Sequence, residues 1–132
     1  IDIAKRMKTT STRELEAQRA VLLRQVRAAG PSIEGTLARV PRTCGKASCR
    51  CMRGGPKHQA VILCKKVAGR SVAMHVPKAL REDVEEWSRE HKRIKRLLKA
   101  VSEINEQILR RHVGEKRQAA ALRRSLKVLR AQ

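Results

Sequence analysis

The stretch that decides the fold is residues 43–58, TCGKASCRCMRGGPKH, which holds three of the four cysteines and one histidine. Cys44, Cys49 and Cys51 lie close together, and His58 follows seven residues after the last of them. Three thiolates and one imidazole are a standard tetrahedral donor set for zinc. Because four protein ligands leave no open coordination position, the sequence predicts a structural zinc site.

Two other arrangements of these donors are open from the residues alone. Cys64 or His75 is an alternative to His58 as the fourth ligand, but Cys64 lies in an apolar run, where a free thiol usually behaves as a small buried hydrophobe. Disulfide pairing is the second alternative. We find no secretory signal, and Cys49 and Cys51 are too close in sequence to staple separate elements. We therefore favour zinc bound by Cys44, Cys49, Cys51 and His58.

The segments around the cysteine loop predict an α+β fold that is mostly helical. Hydroxyl residues at positions 10–12, followed by apolar residues at helical spacing, predict a helix over 12–29 that ends at Gly30-Pro31. Residues 33–40 predict a short strand or extended arm. Residues 60–64 and 71–76 predict a β-hairpin with its turn at 68–70. So small a sheet buries little apolar surface, and bound metal is expected to supply folding energy.

A long helix is predicted after Pro77, since proline is well placed at a first helical position. From Val84 onward, apolar residues recur in steps of three and four, and this heptad pattern continues past Gly114. A continuous helix over 77–131 is favoured over one that stops near 113. The predicted domains are a basic N-terminal helix (1–30), a zinc-binding β module (31–76), a coiled-coil-like heptad helix (77–113) and a basic helical extension (114–132).

The apolar seam of this long helix has two interpretations. It can pack on the helix at 12–29 within one chain, or it can join two copies, in which case a buried Asn105 would set a parallel register. The shorter helix cannot shield the whole seam, which favours a homodimer through 77–131. His91 and His112 are then seam or surface residues and not metal ligands.

The composition is strongly basic, with 32 Lys and Arg against 12 Asp and Glu and a formal net charge of +20. Residues 30–76 hold nine basic residues and one acidic residue, and residues 113–132 hold six and one. Such a field attracts polyanions, and a nucleic-acid backbone is the commonest because each neutralised phosphate releases a counterion. A membrane is not expected as partner, since we find no apolar run of ~18 residues and no lipidation motif.

Aromatic residues are almost absent, since the chain has no Phe, no Tyr and a single Trp, Trp87. Proteins that bind single strands usually stack the bases on aromatic side chains. We therefore expect contacts from Arg and Lys to the backbone of a duplex, with DNA favoured over RNA. The candidate contact residues are Arg39, Arg42, Lys46, Arg50, Arg53, Lys57, Lys65, Lys66, Arg70, Lys116, Arg117, Arg123 and Arg124.

Several short motifs follow one another along the middle of the chain in an order that is similar to that of a known domain family. The Cys-Gly-Lys and Cys-Arg-Cys steps at 44–46 and 49–51 and His58 are followed by two strands, then Val-Pro-Lys at 76–78 and Ser-Glu-Ile-Asn at 102–105. This order resembles an uncharacterised bacterial zinc-knuckle-like domain family, over about residues 33–108. The chain departs from the family pattern after His58, where Gln59-Ala60 replaces Gly-Pro, and at 61–63, where aliphatic residues replace an aromatic strand. The resemblance implies the same four ligands and an accessory role beside transposases and other mobile elements.

Together these features predict a non-enzymatic, zinc-stabilised nucleic-acid-binding accessory or regulatory protein of a mobile element or phage. We expect it in the cytoplasm of a bacterial or phage-infected cell, associated with the nucleoid in a larger nucleoprotein complex. The alternatives are an RNA-binding ribonucleoprotein component and a coiled-coil architectural protein that binds an acidic protein. An enzyme is least favoured, because no Ser-His-Asp or phosphate-loop pattern occurs.

Overall fold

A computed structural model of the chain describes residues 10–132, and the first nine residues of the predicted N-terminal domain (1–30) lie outside the described residues. The elements are helix α1 (Thr12–Arg27), strands β1 (Thr36–Arg42), β2 (His58–Val67) and β3 (Arg70–Val76), and helix α2 (Arg81–Ala131), with short 3-10 helices at Arg50–Arg53 and Lys78–Leu80. The predicted α+β fold is confirmed. No helix within 10–132 is long and apolar enough to cross a lipid bilayer.

The chain forms two compact units. One contains α1 and the part of α2 from Lys95 onward, and the other spans residues 29–94 with the three strands and the first turns of α2.

Helix α1 begins where the hydroxyl residues predict. Ser11 Oγ accepts a hydrogen bond from the backbone N–H of Glu14 at 3.1 Å, and the Ser11 backbone N–H donates to Glu14 Oε2 at 3.3 Å. This reciprocal pair satisfies two donors at the start of the helix. The helix ends at Arg27, slightly before the predicted end, and the Ala28 N–H donates to the Arg24 carbonyl.

Helix α1 packs on the later part of α2. Leu15 and Ile104 are buried, with exposed fractions of 2% and 7%. Arg19 Nη1 donates a hydrogen bond to Asn105 Oδ1 at 2.6 Å. Packing within one chain therefore accounts for the apolar seam around Ile104. Further along, the large apolar residues are exposed: Leu122, Leu126, Val128 and Leu129.

The three strands form one antiparallel sheet in the order β1-β2-β3. The β2-β3 hairpin is longer than predicted, because Ala68 and Gly69 form a two-residue turn with positive φ at both positions, 51° and 80°. Such a turn matches the twist of the flanking strands and lets pairing continue to the turn itself. Strand β1 starts and ends later than predicted and includes Pro41, which is tolerated because β1 is an edge strand.

The core of the second unit lies between one face of this sheet and the first turns of α2. Val61, Leu63, Val76 and Val84 are buried, and Ile33, Leu37 and Trp87 pack against them. Facing residues of paired strands share one side of the sheet, and the register aligns Leu37 with Leu63 and Val61 with Val76. The sheet therefore turns one apolar side toward α2.

The segment before β1 is fixed to α2 by hydrogen bonds. The Ile33 N–H donates to the Trp87 carbonyl at 3.1 Å, and Ser88 Oγ donates to the Gly35 carbonyl at 2.7 Å. Gly35 has a φ of +132°, and a Cβ there would lie 2.8 Å from Leu63 Cδ1. A side chain at this position would therefore be both strained and too close to Leu63, and β1 begins at the next residue.

Helix α2 is continuous through Gly114. This agrees with the predicted continuous helix and not with the alternative that stops near residue 113. Its 51 residues give a length of about 77 Å at 1.5 Å per residue. One glycine costs only about 1 kcal/mol in a helix interior, which is too little to break so long a helix.

Candidate metal centre

The sheet register brings the two ends of the cysteine loop together. Strand β1 ends at Arg42 and β2 begins at His58, and these two residues are paired partners. Cys44 follows two residues after Arg42. The first and last of the predicted ligands are therefore placed by strand pairing.

A short 3-10 helix shapes the middle of the loop. It spans Arg50–Arg53 and buries Cys51, which is 5% exposed. The chain leaves it through Gly54, with a φ of +83°, and the Gly55 N–H donates to the Arg50 carbonyl at 2.9 Å. A Cβ on Gly55 would lie 2.8 Å from that same carbonyl oxygen. The two glycines thus let the chain return toward His58.

The four predicted ligands come together in space. The sulfur atoms of Cys44, Cys49 and Cys51 and a ring nitrogen of His58 all lie within 4.8 Å of one another. Cys44 Sγ and Cys51 Sγ are 3.5 Å apart, and Cys49 Sγ lies 3.2 Å from His58 Nε2. Bonds of about 2.3 Å to a tetrahedral zinc place two sulfurs about 3.8 Å apart. The cluster therefore has dimensions that can hold a metal ion.

The surroundings of the thiols favour a thiolate at one position. The backbone N–H of Cys51, and after it the His58 imidazole and the thiols of Cys51 and Cys44, lower the pKa of Cys49 to about 6. At Cys51, the backbone N–H of Cys44 donates to the sulfur at 3.4 Å, and this hydrogen bond by itself lowers the pKa of the thiol. Burial and the neighbouring thiols outweigh it and raise the pKa of Cys51. A thiol must be deprotonated to bind a metal, and the lowered pKa favours that state at Cys49.

The two alternative fourth ligands lie outside the cluster. Cys64 pairs with Thr36 and Ala73 in the middle of β2. It is separated from His58 by roughly 20 Å of strand at 3.3 Å per residue. His75 lies on β3 and lines a small cavity beside His58, but it is not part of the group of ligand atoms.

All thirteen predicted nucleic-acid contacts are exposed side chains. Nine of them belong to the unit 29–94, and four lie on the last turns of α2. None of the thirteen forms an ion pair with another residue of the described range 10–132. Residues 35–81 contain eleven Lys and Arg and no Asp or Glu. The metal cluster thus lies in a positively charged segment that contains no carboxylate side chain to neutralise it.

Three further cations near the sheet are not among the thirteen contact residues predicted from the sequence. Arg81, Arg89 and Lys92 line a cavity together with Arg39. They lie in the mixed-charge first turns of α2, which resemble a solvated helix face. Arg81 and Arg89 are eight residues apart and Lys92 follows three residues later, so all three lie on one side of the helix. This spacing is visible in the sequence and could have indicated a shared basic face.

The fold and the cluster define a class, a small α+β protein with a Cys3His group that can hold a metal ion. The chain belongs to the family described as Domain of unknown function (DUF6788), which matches residues 12–86. That range contains α1, all three strands and the four candidate ligands, so the match to an uncharacterised family begins earlier than the resemblance indicates and stops within the first turns of α2. No curated protein and no solved structure matches the chain.

Proposed function

We propose that the protein is a non-enzymatic, zinc-stabilised module that binds the phosphate backbone of duplex DNA. The observation that carries the proposal is the position of the Cys3His group inside a segment with eleven cations and no carboxylate. A metal-pinned loop holds such cations close together at little entropic cost to the small sheet. Phosphate groups are the partners that this charge pattern suits best.

Zinc is favoured by the chemistry of the donor set. Three sulfurs and one imidazole nitrogen in a compact group suit a borderline-soft ion with tetrahedral geometry. Ions that prefer oxygen ligands, such as magnesium and calcium, have no donors here. Because all four positions would be filled by protein, zinc in this site would stabilise the fold and would not activate water.

A duplex is favoured by the location of the single aromatic residue. Trp87 packs against the core of the sheet, so its ring is engaged there and does not offer an open stacking platform. Contacts must then come from exposed Arg and Lys, which bind phosphates in any sequence. The resemblance to proteins found beside transposases supports an accessory role in DNA handling.

The proposal is tested by measuring binding to a DNA duplex, an RNA duplex and polyglutamate across a salt series. For six phosphate contacts, we expect the affinity for DNA to fall by about 10³ between 50 and 200 mM salt. The variant Arg42→Gln/Arg50→Gln/Arg53→Gln should bind more weakly and with a shallower salt dependence. The matched control is Arg13→Gln/Arg24→Gln/Lys99→Gln, which removes three exposed cations of the other unit.

Each outcome of this experiment has a clear meaning. Failure to bind either duplex at ~50 mM salt overturns the proposal. Tighter binding to the RNA duplex replaces DNA by RNA as the partner. Tighter binding to polyglutamate supports instead a protein that recognises an acidic partner.

A further inference from the structure

A second basic feature lies between the sheet and the first three turns of α2, within the unit 29–94. It is a cavity of about 300 Å³, which is at the lower end of the range for ligand pockets. Arg39, Arg81, Arg89 and Lys92 line it, together with one carboxylate, Glu85. With four cations and one anion, the lining is positively charged.

The elements explain why these side chains converge. On α2, positions 81, 85, 89 and 92 recur in steps of three and four, so they share one face of the helix. On β1, Arg39 pairs with the buried Val61 and so lies on the sheet side that faces α2. The cavity therefore lies at the edge of the apolar core, with Leu37 and Val61 on one side and the charged side chains on the other.

Arg81 is held in place and has a donor to spare. Its Nη2 donates to the Gln59 carbonyl at 2.9 Å. Its Nε is buried and has no hydrogen-bond partner within residues 10–132. A buried donor without a partner is costly. The atom has less than 1 Å² of exposed surface, so an acceptor reaches it only when the side chains that cover it move. Arg81 also lines the neighbouring small cavity with Arg42 and His58, which links this site to the metal loop.

The other lining groups leave the positive charge free. Arg39, Arg89 and Lys92 are exposed and form no ion pair within the described range 10–132, and Glu85 forms none there either. Ser88 also lines the cavity, but its hydroxyl proton is engaged with the Gly35 carbonyl. The cations are thus the groups able to bind a ligand.

We propose that this cavity is a phosphate-binding site, in which Arg81 supplies a directed donor and Arg39, Arg89 and Lys92 neutralise the charge. The phosphate would come from a nucleic-acid backbone, which rests on the function proposed above, or from free polyphosphate. A guanidinium suits this task because its planar set of donors matches the oxygens of a phosphate group.

The first test compares two triple variants in binding to a DNA duplex across a salt series. Arg39→Gln/Arg89→Gln/Lys92→Gln should lower the slope of log K against log salt by about 1 for each lost contact. The control Arg13→Gln/Arg24→Gln/Lys99→Gln should change the slope by less than about 1 in total. Equal changes in the two variants would show that the cavity is not a contact. Circular dichroism would verify that both variants are folded.

A conservative variant separates charge from directed hydrogen bonding. Arg81→Lys keeps the positive charge and removes the Nε donor, so we expect weaker duplex binding with an unchanged salt slope. Wild-type affinity in this variant would overturn the role of Arg81.

Inorganic tripolyphosphate distinguishes the two sources of phosphate. Titration of ¹⁵N-labelled protein should shift the Arg81 Nε–H signal, and the shift should be lost in the cavity triple variant. A shift without duplex binding would support the phosphate site and overturn the nucleic-acid function. Duplex binding with no shift and with equal slopes in both variants would overturn the site while the proposed function stands.

Discussion

His58 is both the first residue of β2 and the fourth donor of the cluster, so one position connects the sheet to the metal site. A slip of one residue in strand pairing turns every side chain of a strand to the other face. Such a slip would carry the imidazole away from the three sulfurs. Metal binding would therefore select the native register of β1 and β2, and a correct register would in turn prepare the site for metal.

Replacing one ligand should release the metal, whereas replacing the cysteine outside the cluster should not. Cys49→Ser should lower zinc affinity by at least roughly 100-fold, since even outer-shell changes cost 10–100-fold. Cys64→Ser is the matched control, because Cys64 is a half-buried strand residue away from the group. Elemental analysis after gel filtration would show about one zinc per chain in wild type and control and a marked loss in Cys49→Ser. Zinc loss in Cys64→Ser alone would contradict the assignment.

In metal-free protein, the order of thiol alkylation should follow the two pKa shifts. Because the pKa of Cys49 is lowered from 9.0 to about 6, folding stabilises its thiolate. That contribution to stability is complete above pH 9 and is lost as the pH falls through about 6. The pKa of Cys51 is raised, so it stays a thiol at neutral pH. Iodoacetamide at about pH 7 should label Cys49 before Cys51, because the thiolate is the nucleophile.

Peptide mass mapping over time would give the two labelling rates. The control is the same protein in guanidinium chloride, where the rates should converge because the local hydrogen bonds are gone. Labelling of Cys51 before Cys49 in folded protein would mean that the loop does not keep this geometry without metal.

Residue by residue, the donors of the site could be predicted from sequence because thiol and imidazole chemistry limits the choices. Four donors with glycines between them leave few other uses. Arg81 could not be found this way, because its value as a donor comes from the Gln59 carbonyl across the fold. Neither residue type nor spacing reveals that pairing.

The segment before β1 and the start of α2 act together through Ser88. This serine is 4% exposed, and its hydroxyl donates to the Gly35 carbonyl at 2.7 Å. Ser88→Ala would remove the donor of this part-buried hydrogen bond, and we expect it to lower the free energy of unfolding by about 1 kcal/mol. The control Ser102→Ala changes an exposed serine of the same helix and should alter stability by less than about 0.5 kcal/mol.

Urea unfolding followed by Trp87 fluorescence measures both variants, since Trp87 packs on the same core. Equal midpoints for the two variants would contradict a structural role of this hydrogen bond.

At the level of elements, features set by local sequence were predicted correctly, whereas features set by contacts between distant residues were not. The capping residues placed the start of α1, and the heptad pattern predicted a continuous α2 through Gly114. The bounds of β1 differ from prediction because they follow its pairing with β2, which joins residues far apart in sequence. Likewise, the Arg19–Asn105 hydrogen bond joins residues far apart in sequence, and no periodicity indicates it.

For the whole molecule, α1 is too short to cover α2. The 16 residues of α1 give about 24 Å, whereas α2 extends for about 77 Å. Leu122, Leu126 and Leu129 are exposed by 62%, 45% and 66%. They recur in steps of three and four, as in the seam of a coiled coil. A second copy of the chain is the partner that would present the same seam.

We therefore expect a homodimer whose stability rises with salt. The last turns of α2 carry many like charges, and added salt screens their repulsion between two copies. Binding to a phosphate backbone should instead weaken as salt rises. The two activities thus have salt dependences of opposite sign, which allows them to be measured separately.

Analytical ultracentrifugation in about 0.5 M salt, where surface charges are well screened, should give twice the monomer mass of 14.9 kDa. Leu122→Gln/Leu126→Gln/Leu129→Gln should sediment as a monomer. The control Val67→Gln/Val72→Gln/Met74→Gln removes three exposed apolar side chains of the sheet and should remain a dimer. If wild type is a monomer under these conditions, the exposed seam does not join two copies. If the control dissociates while the α2 variant remains a dimer, the sheet and not α2 provides the interface.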